Sequence, residues 1–330
     1  MKAVVWTAFG PAADVLSVQD VAMPVAGEGE VLVRVAYSGV NPSDCKARGG
    51  ARPGVTKPPF EMIVPHSDGA GVIEAVGAGV DAGRVGERVW LWNGQWQRAF
   101  GTCAEFVAVP AEQAVALPDS VSLEDGAVLG IPGLTAAQTV FGGGDVAGQT
   151  VLVSGGGGSV GYLAVQLAAW GGARVIATCG ARDLDRVKAA GADVVLDYAS
   201  ADLAAQIMAA TDGTGVDRAV EVELGPNLPM LCDVMKPLGT IAAYGSAKDM
   251  APQMPFGPML FKALKLDITL IYILPLAERT AAVEKLHAAF AAGALAFETP
   301  HVFAMEDAGK AHQMVEAGGR KGAVLVKTSR

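Results

Sequence analysis

The chain has 330 residues, of which 51% are hydrophobic and 18% charged, and its formal net charge is −9. This length predicts two domains with a large apolar core. The acidic balance, without a dense run of Lys or Arg, excludes nucleic acid and anionic membrane surfaces as the main partners. No secretory signal is recognisable at the N-terminus, and the late apolar stretch 266–276 is too short to span a bilayer. The four cysteines are scattered without a C-x-x-C pair, so we expect reduced thiols and a cytoplasmic protein.

Short β-type runs, punctuated by Gly and Pro, fill the first third of the chain. The predicted strands are Ala3–Trp6, Glu30–Ser38, Gly71–Val76, Arg88–Trp92 and Ala104–Val109. They predict a partly open barrel or a small sandwich. Past Asp119 the pattern becomes helical, over Ser122–Leu129 and Leu134–Phe141, with Pro132-Gly133 between the two.

From Gln149 onward, strands and helices alternate. The predicted strands are Thr150–Ser154, Arg174–Thr178, Val194–Asp197, Asp217–Val222, Thr240–Tyr244 and Asp267–Tyr272. The predicted helices are Val160–Trp170, Leu184–Ala190, Leu203–Thr211, Asn227–Met235 and Pro258–Leu264. Continuous apolar strands in such an alternation predict an α/β fold, a parallel sheet covered on both faces as in doubly wound dinucleotide-binding domains.

The chain after Pro275 is expected to return to the first domain. Its predicted elements are a helix Ala277–Ala292, a strand His301–Ala304, a helix Glu306–Glu316 and a strand Gly322–Lys327. We therefore assign residues 126–273 to a dinucleotide-binding domain, and residues 1–125 with 274–330 to a substrate domain.

A glycine motif follows the first strand of the α/β part. Gly156, Gly158 and Gly161 have the G-x-G-x-x-G spacing, in which the first glycine allows a sharp turn, the second allows a pyrophosphate to approach, and the third allows close packing of helix on strand. A glycine-rich surface loop is the alternative, but it would not need flanking apolar runs of this length. The residues expected to bind the dinucleotide are Ser154, Gly156, Gly158, Ser159, Val160 and Gly161.

The end of the second strand indicates which nicotinamide cofactor is bound. NAD-specific folds carry an acid there that binds the ribose 2′-hydroxyl. Here the strand ends at Thr178-Cys179-Gly180, and Arg182 follows. A guanidinium pairs bidentately with phosphate, so Cys179 and Arg182 favour NADPH over NADH. The alternative is that Arg182 is a solvated cation beside Asp183 and Asp185, which would also oppose a phosphate.

Further motifs give a family resemblance that runs nearly end to end. They are Gly39-Val40-Asn41-Pro42-Ser43-Asp44, Asp68-Gly69-Ala70-Gly71-Val72-Ile73, Gly86-Glu87-Arg88-Val89, Ala104-Glu105-Phe106 and Gly130-Ile131-Pro132-Gly133-Leu134-Thr135-Ala136. With the glycine loop, they resemble the medium-chain dehydrogenase/reductase superfamily, within it the quinone oxidoreductase (zeta-crystallin-like) branch. The resemblance implies a Rossmann doubly wound sheet plus a GroES-like, partly open β-barrel domain.

The resemblance also implies roles for single residues. Asn41 would line the substrate pocket and donate to the acceptor oxygen, unless it only shapes the Asn-Pro turn. Thr135 would contact the nicotinamide amide, unless it is a helix-start hydroxyl. The other residues implied to contact the cofactor are Pro132, Tyr198, Gly245, Ser246 and Lys321, of which Lys321 is as compatible with an ordinary exposed turn.

Zinc is not expected. Alcohol dehydrogenases of the superfamily have a Cys where this chain has Asn41, and Gly-His-Glu where it has His66-Ser67-Asp68, so the soft ligands of a catalytic zinc are missing. An unusual site of Cys45, His66 and Asp68 is the alternative. Otherwise His66 is expected as a hydrogen-bonded wall of the cleft and Cys45 as a small apolar filler.

Without a metal, direct hydride transfer suits an acceptor that is already electron-poor, such as a quinone or an α,β-unsaturated carbonyl, which needs a Lewis acid less than a simple ketone does. The resemblance thus implies an NADPH-dependent quinone reductase. The alternatives are a reductase of activated C=C bonds such as enones or haloacrylates, a non-catalytic NADPH-binding protein and, last, a zinc alcohol dehydrogenase.

The sequence also predicts the walls of the substrate pocket and the oligomeric state. The tyrosines that often enter the family's pocket after the Asn are missing here, with Lys46 at one such place. Aromatic walls would then come from Trp90, Trp92, Trp96 and Phe60, of which at least two are expected in the core. An apolar edge at the sixth strand predicts a homodimer.

Overall fold

A computed structural model describes residues 1–51 and 54–329 of the chain. Its strands are β1 Lys2–Val5, β2 Ser17–Asp20, β3 Glu30–Gly39, β4 Asp68–Val76, β5 Arg88–Leu91, β6 Phe106–Pro110, β7 Ala114–Ala116, β8 Thr150–Val153, β9 Arg174–Cys179, β10 Val194–Asp197, β11 Val216–Glu221, β12 Met235–Ala243, β13 Lys265–Ile268, β14 His301–Ala304 and β15 Val324–Lys327.

Its α-helices are α1 Ala12–Val15, α2 Pro42–Arg48, α3 Leu123–Gly126, α4 Leu134–Phe141, α5 Ser159–Trp170, α6 Leu184–Ala189, α7 Leu203–Ala210, α8 Leu224–Val234, α9 Phe256–Phe261, α10 Leu276–Ala291 and α11 Ala308–Ala317. Contacts divide the chain into two units, one of Met1–Ile131 with Phe297–Arg330 and one of Pro132–Ala296. This grouping places α10 in the second unit, whereas the sequence-based division gave residues 274–330 to the first domain.

The first unit is built on a mostly antiparallel sheet. Among the described residues its strand order is β14-β15-β3-β4-β5-β7, with β6 on the other part of β3. Alternate residues of β3, namely Val31, Val33 and Val35, are completely buried in one apolar cluster, as the two-residue period of a strand requires. The β-rich first domain is thereby confirmed, and the structure adds β2 and β7, which are too short and too polar or small to stand out in the sequence.

Helix α2, which the sequence pattern did not predict, follows β3 directly. Asn41 precedes the helix and Pro42 opens it, where a missing N–H costs nothing. The Asn41 N–H donates to the Asp44 carboxylate at 2.8 Å, which is half of a capping box. The helix therefore starts at a fixed point, and Asn41 is held at its N-terminus.

The second unit contains the predicted doubly wound sheet. Its strand order is β10-β9-β8-β11-β12-β13 in the described chain, and every neighbouring pair is parallel. This is the 3-2-1-4-5-6 order of dinucleotide-binding folds, which bind ligands beyond the carboxyl ends of the strands. Leu152, Ile176 and Ile241 are fully buried in one cluster between sheet and helices.

Two predicted elements have different bounds in the structure. The sixth strand is β13, Lys265–Ile268, not Asp267–Tyr272, because its partner β12 ends at Ala243 and the ladder ends with the pair Ala243 and Ile268. A 3-10 turn, Ile271–Ile273, follows. The break predicted at Pro132-Gly133 is a π-helical turn, Leu129–Gly133, that leads into α4.

Candidate functional site

In the second unit, the glycine motif joins β8 to α5. Gly158 is the N-cap of α5, and the Gly156 N–H donates to the Thr178 carbonyl at 2.8 Å, which ties the loop to β9. The first-turn N–H groups of α5, beginning with Ser159 and Val160, have no acceptor within their own helix. Together with the helix dipole they favour an anion at this end of α5.

The three glycines of the motif are in different surroundings. A Cβ at Gly161 would lie 2.2 Å from the Gly155 carbonyl oxygen, and one at Gly156 would lie 3.1 Å from Val187. A Cβ at Gly158 would meet only the Gly155 carbonyl oxygen, at 3.4 Å. Gly161 thus permits the packing of helix on loop, whereas Gly158 leaves space open for a ligand. This division matches what a pyrophosphate needs.

The carboxyl ends of β9 and β10 bring together residues predicted to contact the adenosine side. The exposed Tyr198 ring lies over Gly180, with its hydroxyl 3.4 Å from where a Cβ of Gly180 would be. Cys179 is buried, and burial raises the pKa of its thiol to about 11, so it contributes a small wall rather than a thiolate. Arg182 follows Gly180 and exposes 58% of its side chain.

The charge around Arg182 bears on the choice of cofactor. Arg182 Nε lies 3.3 Å from Asp183, and Arg186 reaches the same buried carboxylate at 3.3 Å. Two guanidinium groups therefore share one acid, and the group of three carries a formal net charge of +1. Asp183 thus orients the arginines without cancelling their combined charge.

Several predicted cofactor residues serve the architecture of the second unit. The Ser154 hydroxyl donates to Glu221 at 2.6 Å, and the Ser246 hydroxyl accepts from the Gly225 N–H at 2.8 Å. The Gly245 carbonyl accepts from the Leu224 N–H at 3.0 Å. Pro132 lies in the π-helical turn, and the buried Thr135 lies at the start of α4. Their contacts with a cofactor stay predictions.

Glu221, at the carboxyl end of β11, is a buried acid that sequence reasoning missed. It is completely buried, and burial raises the pKa of its carboxyl group. Besides Ser154, it accepts hydrogen bonds from the Glu223 N–H at 2.5 Å and the Asn227 amide at 3.0 Å. A carboxylate inside the predicted strand Asp217–Val222 was the available signal.

In the first unit, Asn41 and Asp68 form a buried pair. The Asn41 amide donates to one Asp68 carboxyl oxygen at 2.8 Å, and the Ile131 N–H donates to the same oxygen at 2.9 Å. The other oxygen, Oδ1, has no hydrogen-bond partner, and a Cβ at Gly130 would lie 2.2 Å from it. Burial raises the pKa of Asp68 well above its ordinary range and so favours the protonated carboxyl group.

His66 lies in the core, not on the wall of a cleft as predicted, although it is hydrogen-bonded as expected. It is completely buried, with Nδ1 2.8 Å from the Ser38 hydroxyl and Nε2 2.9 Å from Nε2 of His312. His312 Nδ1 in turn lies 3.4 Å from the Cys45 sulfur. Burial lowers the pKa of both imidazoles, that of His312 to about 3, so the network is neutral.

The same contacts bear on the alternative metal site. Cys45 and His66 each contact His312, whereas the Asp68 side chain bonds to Asn41, so the three do not converge. No group of three or more His, Cys, Asp or Glu in the part of the chain described here is placed to hold a metal ion. Independence from zinc stays a prediction.

The remaining predicted residues lie in different settings of the first unit. Trp90 and Trp92 are core residues, which confirms that at least two of the four aromatic side chains pack inside. Phe60 and Trp96 line a cavity. Lys321 is exposed, and its carbonyl oxygen lies 2.8 Å from Nε2 of His301. A contact of Lys321 with the cofactor stays a prediction.

None of the helices in the described residues is long and apolar enough to cross a bilayer.

Comparison with protein families gives two matches along the chain. Residues 27–119 match the alcohol dehydrogenase GroES-like domain, and residues 159–288 match the family described as zinc-binding dehydrogenase. The two matches lie in chain order, as the two predicted domains do.

Quinone oxidoreductases are among the curated relatives that this chain resembles. The protein of Mus musculus is 33% identical over 70% of this chain and 70% of its own length. That of Rattus norvegicus is 34% identical over 65% of this chain, and the matched region spans only 64% of the rat protein.

Solved structures resemble the whole chain. A mycobacterial protein complexed with NADPH is 30% identical, with a TM-score of 0.87, and covers 99% of this chain and 100% of its own. A quinone oxidoreductase of Pseudomonas syringae is 27% identical, with a TM-score of 0.85 and coverage of 99% of each chain. An NAD-dependent alcohol dehydrogenase is 28% identical, with a TM-score of 0.87 and coverage of 100% of each chain.

Proposed function

This chain belongs to the quinone oxidoreductase branch of the medium-chain dehydrogenase/reductase family, and from that membership we propose that it is an oxidoreductase that reduces quinones with NADPH and without zinc. The observation that carries the proposal is the glycine loop of the second unit. There Gly158 leaves open space at the N-terminus of α5, beside the Arg182 and Tyr198 side of the sheet. That arrangement suits a dinucleotide with a phosphate on its adenosine ribose.

NADPH is proposed over NADH because of the charges near the end of β9. No acid ends the strand at Cys179, and Arg182 with Arg186 outweighs Asp183 in charge. The mycobacterial relative is complexed with NADPH, which supports the choice, while another structural relative is NAD-dependent. The residues proposed to hold the cofactor are those predicted from sequence, with Gly158, Ser159, Val160 and Arg182 carrying its phosphates.

The residues of the first unit support a reaction at an electron-poor acceptor. A bound nicotinamide supplies hydride, and the acceptor oxygen gains negative charge as hydride arrives. Asn41 Nδ2 carries two hydrogens, one of which is donated to Asp68. We propose that the other is donated to the acceptor oxygen, with Asp68 fixing the orientation of the amide. Thr135, at the start of α4, is proposed to orient the nicotinamide amide.

A quinone suits this site because it accepts hydride without a Lewis acid. The same geometry would serve an activated C=C bond, so an enone reductase is the second candidate. It is favoured by the same donor, Asn41, which would polarise the carbonyl of an enone as well. A non-catalytic NADPH binder is the third.

Parallel assays separate these functions. NADPH oxidation is followed with 1,4-naphthoquinone and with but-3-en-2-one, each with and without a chelator. We expect turnover of the quinone, unaffected by the chelator. Turnover of the enone alone would favour the second candidate. NADPH binding by calorimetry without oxidation by either acceptor would favour the third, and activity lost on chelation would overturn zinc independence.

We further propose that the protein is a cytoplasmic homodimer that pairs through the edge of the second unit's sheet. Strand β13 ends the sheet, and the apolar side chains around it are exposed. We call these side chains the edge patch: Leu238, Phe256, Leu260, Phe261, Ile268, Ile273 and Leu276. A second copy would cover the patch and pair with the free strand edge.

A further inference from the structure

The first unit contains an aromatic cavity that the proposed chemistry does not use. Its volume is about 350 Å³. The lining residues that the structure describes are uncharged, and four of them are aromatic: Trp6, Phe9, Phe60 and Trp96. Ligand sites of proteins have volumes of roughly 300–1,000 Å³ and are mostly apolar, with a few polar groups. This cavity lies at the small end of that range.

The floor of the cavity is rigid. Trp6 and Ile63 are both nearly fully buried and pair through their backbones, with N–H to carbonyl distances of 3.0 and 2.9 Å. The ring of Phe9 packs on Trp6, with ring centroids 5.9 Å apart. Two aromatic rings are therefore held in place before any ligand arrives.

One wall depends on a glycine. Gly50 has a φ of +72°, and a Cβ there would lie 2.8 Å from the Phe9 ring. The bare backbone of Gly50 thus lets Phe9 lie beside the end of α2. Ala47, on α2, contributes only a methyl group to the lining.

A strained loop supplies three further lining residues, Gln95, Trp96 and Gln97. Asn93 and Gln97 have φ values of 54° and 58°, which side-chain-bearing residues rarely adopt. Between them, the Gln95 amide donates to the Arg98 carbonyl at 2.9 Å, and the Trp96 N–H donates to the Asn93 carbonyl at 3.0 Å. Such strain persists where the surrounding structure enforces it and is concentrated at ligand sites. Here it presents Trp96 to the cavity.

We propose that this cavity binds a neutral aromatic group of one or two rings, carried by the acceptor as a substituent beyond the part that takes hydride. Stacked and edge-on aromatic contacts favour a flat ring, and the lack of lining charges among the described residues favours a neutral one. This proposal rests on the proposed function in one respect, namely that the aromatic group is part of the acceptor that the enzyme reduces.

Helix α2 supplies that link within the first unit. Asn41 caps its N-terminus, and Ala47 lies six residues further along. At 1.5 Å per residue the two are separated by roughly 9 Å along the helix. An acceptor whose oxygen is at Asn41 therefore needs an aryl arm to reach the cavity. Acceptors with such an arm would be preferred over unsubstituted ones.

Binding is tested first, without turnover. Calorimetry with 2-naphthol, which accepts no hydride, should show binding to the wild-type protein. Ala47→Phe should fill the cavity and weaken binding at least tenfold, and Phe60→Ala, at the exposed rim, should weaken it severalfold. Ala288→Phe, on the exposed side of α10 in the second unit, is the matched control and should change nothing. No binding, or binding that neither Ala47→Phe nor Phe60→Ala weakens, would overturn the site.

Turnover then tests the link to the acceptor. The ratio of kcat/KM for 2-phenyl-1,4-benzoquinone to that for 1,4-benzoquinone should be at least ten in the wild type and should fall toward one in Ala47→Phe. A ratio unchanged by the substitution, in an active enzyme, would overturn the aryl arm and leave the proposed reductase standing. If neither quinone is reduced but 2-naphthol binding still depends on Ala47, the reductase proposal fails and the aromatic site stands.

Discussion

The Asn41 side-chain amide donates a hydrogen bond of 2.8 Å to Asp68, whose carboxyl group is completely buried. The same oxygen of Asp68 accepts the Ile131 N–H, so one acid fixes both the amide and the backbone just before the π-helical turn reaches Pro132. Burial raises the pKa of this acid, and in the proposed mechanism its protonated form would hold Asn41 without adding charge beside the acceptor oxygen.

The pH dependence of stability should contain a contribution from Asp68. Burial raises its pKa in the folded state, so the folded protein keeps a proton that the unfolded chain loses near its ordinary pKa. Stability therefore falls as pH rises from about 4 toward the folded-state pKa, by up to about 1.4 kcal/mol per pH unit. Asp68→Asn should remove this slope and be at least as stable as wild type near neutral pH.

Urea unfolding of wild type and Asp68→Asn between pH 4 and pH 8 measures this slope. Glu221, whose pKa burial also raises, is present in both proteins and cancels in the difference. Parallel stability profiles would show that Asp68 is not a protonated acid in the folded state.

Asn41→Ala should lower kcat far more than it weakens NADPH binding. Removal of one preorganised donor to a developing oxyanion costs about 10²–10³ in kcat. Lys46→Ala is the control on the same helix, since Lys46 is exposed and bonds to nothing in the proposed mechanism. Steady-state kinetics and calorimetric titration of both variants give the two quantities. Equal turnover in Asn41→Ala and wild type would reduce Asn41 to a residue of the Asn-Pro turn.

Gly158→Ala should fold normally and bind NADPH at least tenfold more weakly. The added Cβ meets only an ordinary contact, at 3.4 Å, and the φ of −85° suits alanine, yet the methyl group would occupy the space proposed for the pyrophosphate. Thermal unfolding tests whether the variant folds normally, and NADPH titration tests whether it binds the cofactor more weakly. Gly257→Ala, where a Cβ contacts nothing within 4 Å, is the control. Unaltered NADPH affinity in Gly158→Ala would place the phosphates elsewhere.

Arg182→Ala should weaken the binding of NADPH by about tenfold and leave the binding of NADH nearly unchanged, because a charge-assisted hydrogen bond to the 2′-phosphate is lost. The effect is limited because the Arg182 side chain is exposed to solvent. Arg174→Ala removes an exposed cation at the other end of the same strand, β9, and should affect neither cofactor. Dissociation constants for both nucleotides decide the outcome. Equal losses of affinity for NADPH and NADH would show that Arg182 does not bind the 2′-phosphate.

The edge patch should hold two copies together in solution. Ile268 is 71% exposed on the edge strand β13, so Ile268→Lys would place a charge in the proposed interface and should shift the protein toward monomer. Val25→Lys, at a residue 84% exposed in the first unit, is the control. Sedimentation velocity at several concentrations reports the state. A monomeric wild type, or a dimer indifferent to Ile268→Lys, would contradict the proposal.

The elements that could be predicted from the sequence are those with a clear local pattern of apolar and polar residues. Most strands of the second unit contain short apolar runs that alternate with helical patterns, so the parallel sheet could be predicted from local periodicity. The glycine motif could likewise be recognised by spacing, since Gly156, Gly158 and Gly161 act within a few residues of each other. The end of β13 could not, because it depends on where its partner β12 stops.

What the sequence determined alone was therefore local in origin: the doubly wound sheet, the glycine loop before α5, the absence of an acid at the end of β9. What only the tertiary structure decided was which distant side chains meet. Asp68 binds Asn41 across 27 residues, His66 contacts His312 across 246, and Trp6 and Trp96 line the same cavity. The physical reason is that burial and hydrogen bonding depend on proximity in space, whereas a sequence pattern records only proximity along the chain.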